Sequence, residues 1–258
     1  VPTTSFKISS FLSHWLDAVD EHSLHSPFFF DFYLNVVKNS IETKPVEAIE
    51  LLRQKLLQDE RPLPVKDLGA GAGRPTRTVA DIARASISPV ESSILYRNII
   101  KQYKAKTIVE LGTSFGINTL YLSQSKEASI YSFEGSPPVA DIARLTFEFA
   151  ATRNVKLIEG NINETLPDFL STIRRIDFAL VDANHRYQPT LFYFEQLIAK
   201  VKESSIIVID DINYSKEMQK AWQEIHRHEL VYASADLYRC GVLFFDPSLN
   251  KQHVILQY

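Results

Sequence analysis

Residues 106–119 read Lys-Thr-Ile-Val-Glu-Leu-Gly-Thr-Ser-Phe-Gly-Ile-Asn-Thr. Thr107 to Leu111 is a short β-branched and apolar run, the pattern of a strand buried in a parallel sheet. It carries Glu110 near its end and runs into a turn marked by Gly112 and Gly116. A helix then starts near Ile117, with Leu120, Tyr121 and Leu122 in its first turns. Glycine at 112 lets the chain turn without a Cβ clash, and glycine at 116 lets the backbone approach a ligand. Strand, glycine turn and helix form the nucleotide-binding opening of an α/β sheet. The spacing Gly112-x-Ser114-x-x-Ile117 does not supply the Gly-x-Gly-x-x-Gly of a dinucleotide fingerprint. That argues against a nicotinamide-dependent oxidoreductase.

Toward the C-terminus the strand and helix patterns alternate. Ala128 to Glu134 is a second strand ending in an acid, followed by Gly135. Glu134 lies about 24 residues after Glu110, close to the spacing at which a carboxylate meets ribose hydroxyls in such folds. The plainer alternative is a charged strand end in solvent. Val139 to Ala150 is helical, and Val155 to Ile158 is a third strand leading to Gly160-Asn161. Ile176 to Asp182 is the fourth, continuing as Asp182-Ala183-Asn184-His185. Ser205 to Ile209 is the fifth and ends in Asp210-Asp211. Leu230 to Ala235 and Gly241 to Phe245 read as a hairpin closing the sheet, with Met218 and Trp222 before it as core.

Toward the N-terminus, residues 6 to about 60 read as helices. Phe11, Trp15, Leu16 and Val19 recur at helical spacing, and Pro27 opens a second helix. The cluster Phe28, Phe29, Phe30, Phe32 and Tyr33 is expected to dock this extension on the main domain, a substrate pocket being the alternative. His22 and His25 are too few for a metal site. Asp67 to Gly73 (Asp-Leu-Gly-Ala-Gly-Ala-Gly) imitates a nucleotide loop, but Pro62 and Pro64 precede it, and prolines are not tolerated in a central strand. It reads as a loop, either a linker or a lid over the site.

The Lys106 stretch resembles the first motif of class I S-adenosylmethionine (SAM) methyltransferases, acid-x-Gly-x-Gly-x-Gly, with Ser114 replacing the middle glycine. The order of elements from Lys106 onward resembles their seven-stranded sheet, with helices on both faces. The resemblance implies a Rossmann-like α/β SAM-binding domain over 106–258 and a helical extension over 1–105. It places SAM against Glu110, Gly112, Thr113, Ser114, Gly116, Glu134, Gly135, Asn161 and Asp182. The chain looks most like the small-molecule O-methyltransferase branch related to catechol and caffeoyl-CoA methyltransferases. There the fourth strand ends Asp-Ala-Asp-Lys and the fifth Asp-Asn, similar to Asp182-Ala183-Asn184-His185 and Asp210-Asp211. Carried over, Asp182, Asp210 and Asp211 are expected to hold a divalent cation such as Mg²⁺, with His185 as the base beside Asp182. His25-Ser26-Pro27 and Asp210-Asp211-Ile212 also resemble an uncharacterised bacterial methyltransferase-like group. Without a metal, Asp182 contacts the cofactor side, Asp210 caps the next helix and Asp211 is solvated.

Composition bounds the partners. The chain has 258 residues and a formal net charge of −3, no electrostatic footprint for nucleic acid or an anionic membrane. Cys240 is the only cysteine, which excludes an intrachain disulfide and suits a cytoplasmic protein. No apolar run approaches the ~18 residues of a membrane span. The opening residues lack the features of a secretory leader, and Val1 in place of Met reads as a trimmed start. The sequence thus predicts a methyltransferase acting on a small-molecule hydroxyl, with a homodimer as an option. The alternative is a catalytically silent SAM-fold module that docks partners through its helical extension.

Overall fold

The computed structural model describes residues 3–64 and 77–258. The glycine-rich segment Asp67–Gly73 lies outside the described residues. Helix α1 (Thr4–Asp17) starts at Thr3, whose side chain accepts from the Phe6 N–H. Helix α2 (Pro27–Phe32) has Ser26 as its cap and proline in its first turn, where a missing N–H costs nothing. It continues through a π-helical stretch at Tyr33–Lys38 into α3 (Asn39–Glu42). After α4 (Glu47–Leu57), β1 (Pro62–Leu63) pairs antiparallel with β2 (Arg77–Thr78). A two-residue, two-stranded ladder is all edge, so Pro62 breaks no central strand. Helix α5 (Val79–Ser86) opens with a capping box of Thr78 and Asp81, and α6 (Val90–Gln102) leads to the main sheet.

The sheet is built from β3 (Thr107–Leu111), α7 (Ile117–Leu122), β4 (Ser129–Glu134), α8 (Pro137–Phe149), β5 (Val155–Glu159), α9 (Ile162–Thr172), β6 (Phe178–Val181), α10 (Tyr187–Ile198) and β7 (Ile206–Ile209). It continues with α11 (Lys216–Ile225), β8 (Ala233–Asp236), β9 (Gly241–Phe244) and β10 (Gln252–Ile255). The spatial order is β10-β8-β9-β7-β6-β3-β4-β5. Only β9 runs antiparallel to its neighbours, β7 and β8. The chain steps outward from β3 to β5, then returns to the other side of β3 as β6. That reversal opens a crevice beyond the carboxyl ends of β3 and β6.

The expected seven strands are present, and β10 adds an eighth, parallel beside β8. The expected hairpin therefore does not close the sheet: β9 lies inside it and β10 forms the edge. Strand β10 is three half-exposed residues and the exposed His253, too short and polar to announce itself. Beside it, Val19 forms a bridge with Leu256 and ties the N-terminal segment to this edge.

Side chains alternate between the two faces, as a strand requires. Ile108, Ile130, Phe178, Leu180, Val208 and Val242 share one core with Leu95 and Ile99 of α6 and with Phe29, Phe32, Val36 and Val37. Val109, Leu111, Ala179, Val181, Ile207 and Leu243 share the other with α9, α10 and α11, including Phe194, Met218 and Trp222. The N-terminal aromatics dock as expected. Phe28 and Phe32 meet Phe244 edge-on, at centroid distances of 4.9 and 5.3 Å. Edge-on aromatic pairs add to the burial of their area. Phe30 turns outward and His22 and His25 are exposed.

Candidate active site

A cavity of about 780 Å³ opens beyond the carboxyl ends of the parallel strands. Its first half is built by β3 and β4. Gly112 has φ +105, and a Cβ there would lie 2.1 Å from the Asp182 carbonyl oxygen. Only glycine fits, because β6 passes so close. Gly116, at φ +82, starts α7, and a Cβ there would strike Phe147 at 2.5 Å. Between them Ser114 adopts a left-handed φ of 50, and its N–H donates to Glu134 Oε2 at 2.9 Å. The Ser136 N–H donates to Glu134 Oε1 at 2.9 Å. Two backbone donors thus fix the carboxylate at the cavity wall.

Glu110 stands behind that wall with no exposed surface. It accepts from Asn118 Nδ2 at 2.8 Å, Thr119 Oγ1 at 2.6 Å and Ser132 Oγ at 2.5 Å. Burial pushes its carboxyl up to about 7, against the pull of those three donors, and the charge of Glu134 adds to the rise. Thr113 and Ser132 share a hydrogen bond of 2.6 Å. Glu110 therefore fastens β4 and α7 to β3.

The second half lies at the ends of β6 and β7. Asp182 Oδ2 accepts from Ser88 Oγ at 3.0 Å. His185 Nε2 lies 3.6 Å from Asp182 Oδ1 and 3.8 Å from Asp211 Oδ2. Asn184 (φ 69), His185 (φ 42) and Asp211 (φ 54) are all left-handed. Such residues cost on the order of 1–3 kcal/mol each and persist where the surroundings over-determine them. Asp210 is fully buried and faces Arg239: Nη2 donates to Oδ2 at 3.1 Å, and Nε lies 3.1 Å from Oδ1 without hydrogen-bond alignment. Arg239 Nη2 is also 3.3 Å from Asp211 Oδ1. Burial, then the charges of Asp210 and Asp211, hold the Asp182 carboxyl well above the usual range. Burial, then Asp210, raises that of Asp211. Burial works against the charge of Arg239, but the neighbouring carboxylates outweigh it and raise its pKa.

The cavity is lined by Gly112, Ser114, Glu134, Gly135, Asn161, Asp182, His185 and Asp211. Of the predicted residues, Glu110, Thr113, Gly116 and Asp210 are buried behind its lining. The three aspartates do not converge on one point. One ligand atom each from Asp182, His185 and Asp211 lies within 4.8 Å of the others, so His185 takes the place expected of Asp210. That donor set, two carboxylates and an imidazole, is compatible with a divalent cation. Asn161 caps α9, accepting from the Asn163 N–H at 3.1 Å. Ser88 and Arg239 escape the sequence reading. Ser88 carries no signal. Arg239 carried one: it follows β8, which runs parallel to β7, so its turn emerges on the side where ligands bind.

Residues 109–212 match the family model described as a methyltransferase domain. No curated protein matches the chain. Among solved structures, it is similar to the SAH-bound methyltransferase PaMTH1 of Podospora anserina, with TM-score 0.61 and 16% identity over 87% of this chain and 99% of that one. It is similar to the O-methyltransferase of Bacillus cereus in complex with SAH, with TM-score 0.60 and 16% identity over 81% and 96%. It is also similar to TomG of Streptomyces achromogenes, an O-methyltransferase of tomaymycin synthesis in complex with SAM, with TM-score 0.59 and 14% identity over 83% and 96%. At such identities the likeness is one of fold. Among the described residues no helix is long and apolar enough to cross a membrane. Residues 109–212 thus match a methyltransferase domain, and the chain has the fold of these SAM- and SAH-bound methyltransferases.

Proposed function

We propose that this chain is a SAM-dependent O-methyltransferase of a small-molecule hydroxyl, with 106–258 as its SAM-binding domain and the cytoplasm as its compartment. The observation that carries the reading is one continuous cavity, with a fixed carboxylate at one end and an imidazole between two carboxylates at the other. Glu134 suits a pair of vicinal hydroxyls, because a carboxylate accepts from both. Phe133 and Ile162 offer apolar walls beside it for a flat base, and Asn161 an amide. SAM supplies an electrophilic methyl group when bound. The chain has to align an acceptor oxygen with that methyl, and alignment accounts for much of the acceleration of such a transfer.

His185 is the group to take the hydroxyl proton. His185 lines the cavity, and the imidazolium formed would face the carboxylates of Asp182 and Asp211 through Nε2. Ser88 and the Gly112 contact hold Asp182 in place. A divalent cation such as Mg²⁺ would be held by Asp182, Asp211 and His185, and would lower the pKa of a bound hydroxyl. That placement uses the same Nε2 that would otherwise accept the proton.

Calorimetric titration with S-adenosylhomocysteine, with and without Mg²⁺, should show one binding site. A screen of hydroxyl acceptors should then release S-adenosylhomocysteine from SAM, and His185→Gln should lose turnover while keeping cofactor affinity. A folded chain that binds neither SAM nor its product would sink the assignment. Binding with no turnover on any acceptor class would point to the silent module instead.

A further inference from the structure

Asp211 has two oxygens, and they face different partners. Oδ2 is turned to His185 and Oδ1 to Arg239. Asp210, the most buried acid of the cluster, is fully engaged: Oδ1 accepts from the Asp211 N–H at 2.8 Å and Oδ2 from Arg239 Nη2. We propose that Arg239 is the resident cation of this site, a positioning residue that takes the side of Asp210 and Asp211 a divalent metal would otherwise use, so that the native chain binds metal weakly and keeps His185 Nε2 open for proton transfer.

The backbone around Arg239 holds the guanidinium there. Residues 237–240 form the tight turn between β8 and β9. The Leu237 N–H donates to the Cys240 carbonyl at 2.9 Å and the Arg239 N–H to the Leu237 carbonyl at 2.7 Å. The turn is then bolted to the segment after β7. The Ile212 N–H donates to the Arg239 carbonyl at 3.0 Å, and Asn213 Nδ2 to the Tyr238 carbonyl at 2.7 Å. Arg239 and its two aspartates therefore sit on segments fastened to each other on both sides of the ion pair. Swinging the guanidinium aside would leave Asp210, which has no exposed surface, as an uncompensated buried charge.

Geometry and charge oppose each other for a metal. The donor atoms of Asp182, His185 and Asp211 are spaced to meet a cation. A cation among them would share Asp211 with the guanidinium, and like charges in a partly buried site repel strongly. The same fixed positive charge lies 3.3 Å from Oδ1 of Asp211, whose backbone is left-handed and whose Oδ2 is toward the imidazole. Arg239 thus orients the carboxylate that receives the imidazolium and weakens the competing ligand for that nitrogen.

This inference deepens the reading of the proposed site, and its test does not depend on methyl transfer. The whole chain is titrated with Mn²⁺ while the electron paramagnetic resonance signal of the free ion is followed. Arg239→Met should bind Mn²⁺ roughly tenfold or more tightly than the wild type, because a unit positive charge beside the site is gone. Arg239→Lys, which keeps the charge, should stay near the wild type. Because Arg239→Met leaves Asp210 unpaired and can unfold the chain, the pair Asp210→Asn with Arg239→Met serves as the second variant; it also removes one negative charge, so its gain over the wild type should be smaller and come from the release of Asp211. Adding Asp211→Asn to either should abolish it, and circular dichroism melting confirms that each variant is folded. Wild-type Mn²⁺ affinity equal to or tighter than that of the folded Arg239→Met or double variant would overturn the proposal. So would a gain that survives Asp211→Asn. Failure of the methyltransferase reading shows itself separately, as no binding of S-adenosylhomocysteine.

Discussion

Glu110 and Asp210 are both fully buried acids at the carboxyl ends of neighbouring parts of one sheet, and the protein treats them in opposite ways. Glu110 is surrounded by neutral donors, the amide of Asn118 and the hydroxyls of Thr119 and Ser132. Asp210 is met by a guanidinium and a backbone N–H. Neutral donors satisfy a carboxyl in either protonation state, so Glu110 can fasten strands together without a counter-charge. A guanidinium brings a fixed positive charge to the hydrogen bond, and it lies 3.3 Å from Asp211 Oδ1 as well. The half built by β3 and β4 is thus a scaffold of neutral hydrogen bonds. The other half is a set of charges held on left-handed backbone, where strain and electrostatics are concentrated.

The halves meet at Gly112, so that is where the comparison is broken most severely. Gly112→Ala puts a Cβ against the Asp182 carbonyl at 2.1 Å and asks alanine for φ +105. It should destabilise the chain by on the order of 4 kcal/mol, measured by urea unfolding, with the midpoint falling and both halves lost together. A loss below 1 kcal/mol would mean the two strand ends can move apart.

The scaffold role of Glu110 predicts a pH signature of the next size. Its carboxyl titrates at about 7 in the folded chain against an ordinary 4.5. The folded state therefore holds that proton more tightly than the unfolded state does. Its contribution to stability is complete below about 4.5 and is lost as pH rises through about 7. Glu110→Gln removes this dependence. Between pH 4.5 and 8 the unfolding free energy of the variant should rise relative to wild type by roughly 3 kcal/mol. A difference that does not change with pH would show that Glu110 is already ionised when folded.

Smaller effects sharpen the division between the halves. Glu134→Ala should weaken S-adenosylhomocysteine binding by roughly 1–3 kcal/mol, through lost hydrogen bonds to a charged acceptor, as read by calorimetry. Asp211→Asn, in the other half, should change that affinity by less than about twofold, or about 0.4 kcal/mol. Equal losses from the two substitutions would mean that the cofactor reaches across the whole cavity and that the division is false.

The order of elements was legible because burial on both faces writes itself into sequence as continuous apolar runs. Thr107–Leu111, Phe178–Val181 and Ile206–Ile209 are such runs, and each appears as a strand. The glycines were legible because left-handed backbone and a close approach admit no other residue at Gly112 and Gly116. Strand β10 was not, since an edge strand needs no apolar run of its own when Val19 and β8 supply its partners.

For the site, sequence alone determined which strand ends carry acids, because a strand's direction fixes which residue stands at its carboxyl end. It could not determine what those acids face. Asp210 is one residue from Asp211, yet it is fully buried against Arg239 while Asp211 reaches both Arg239 and His185. Arg239 comes 29 positions after Asp210, and Ser88 comes 94 before Asp182. Contacts between such distant parts of the chain follow from strand order and from the path of the turn after β8. Only the tertiary structure could therefore separate the buried clamp of Glu110 from the cavity-facing carboxylate of Glu134. It alone placed a fixed positive charge where the strand-end acids suggested an open place for a metal.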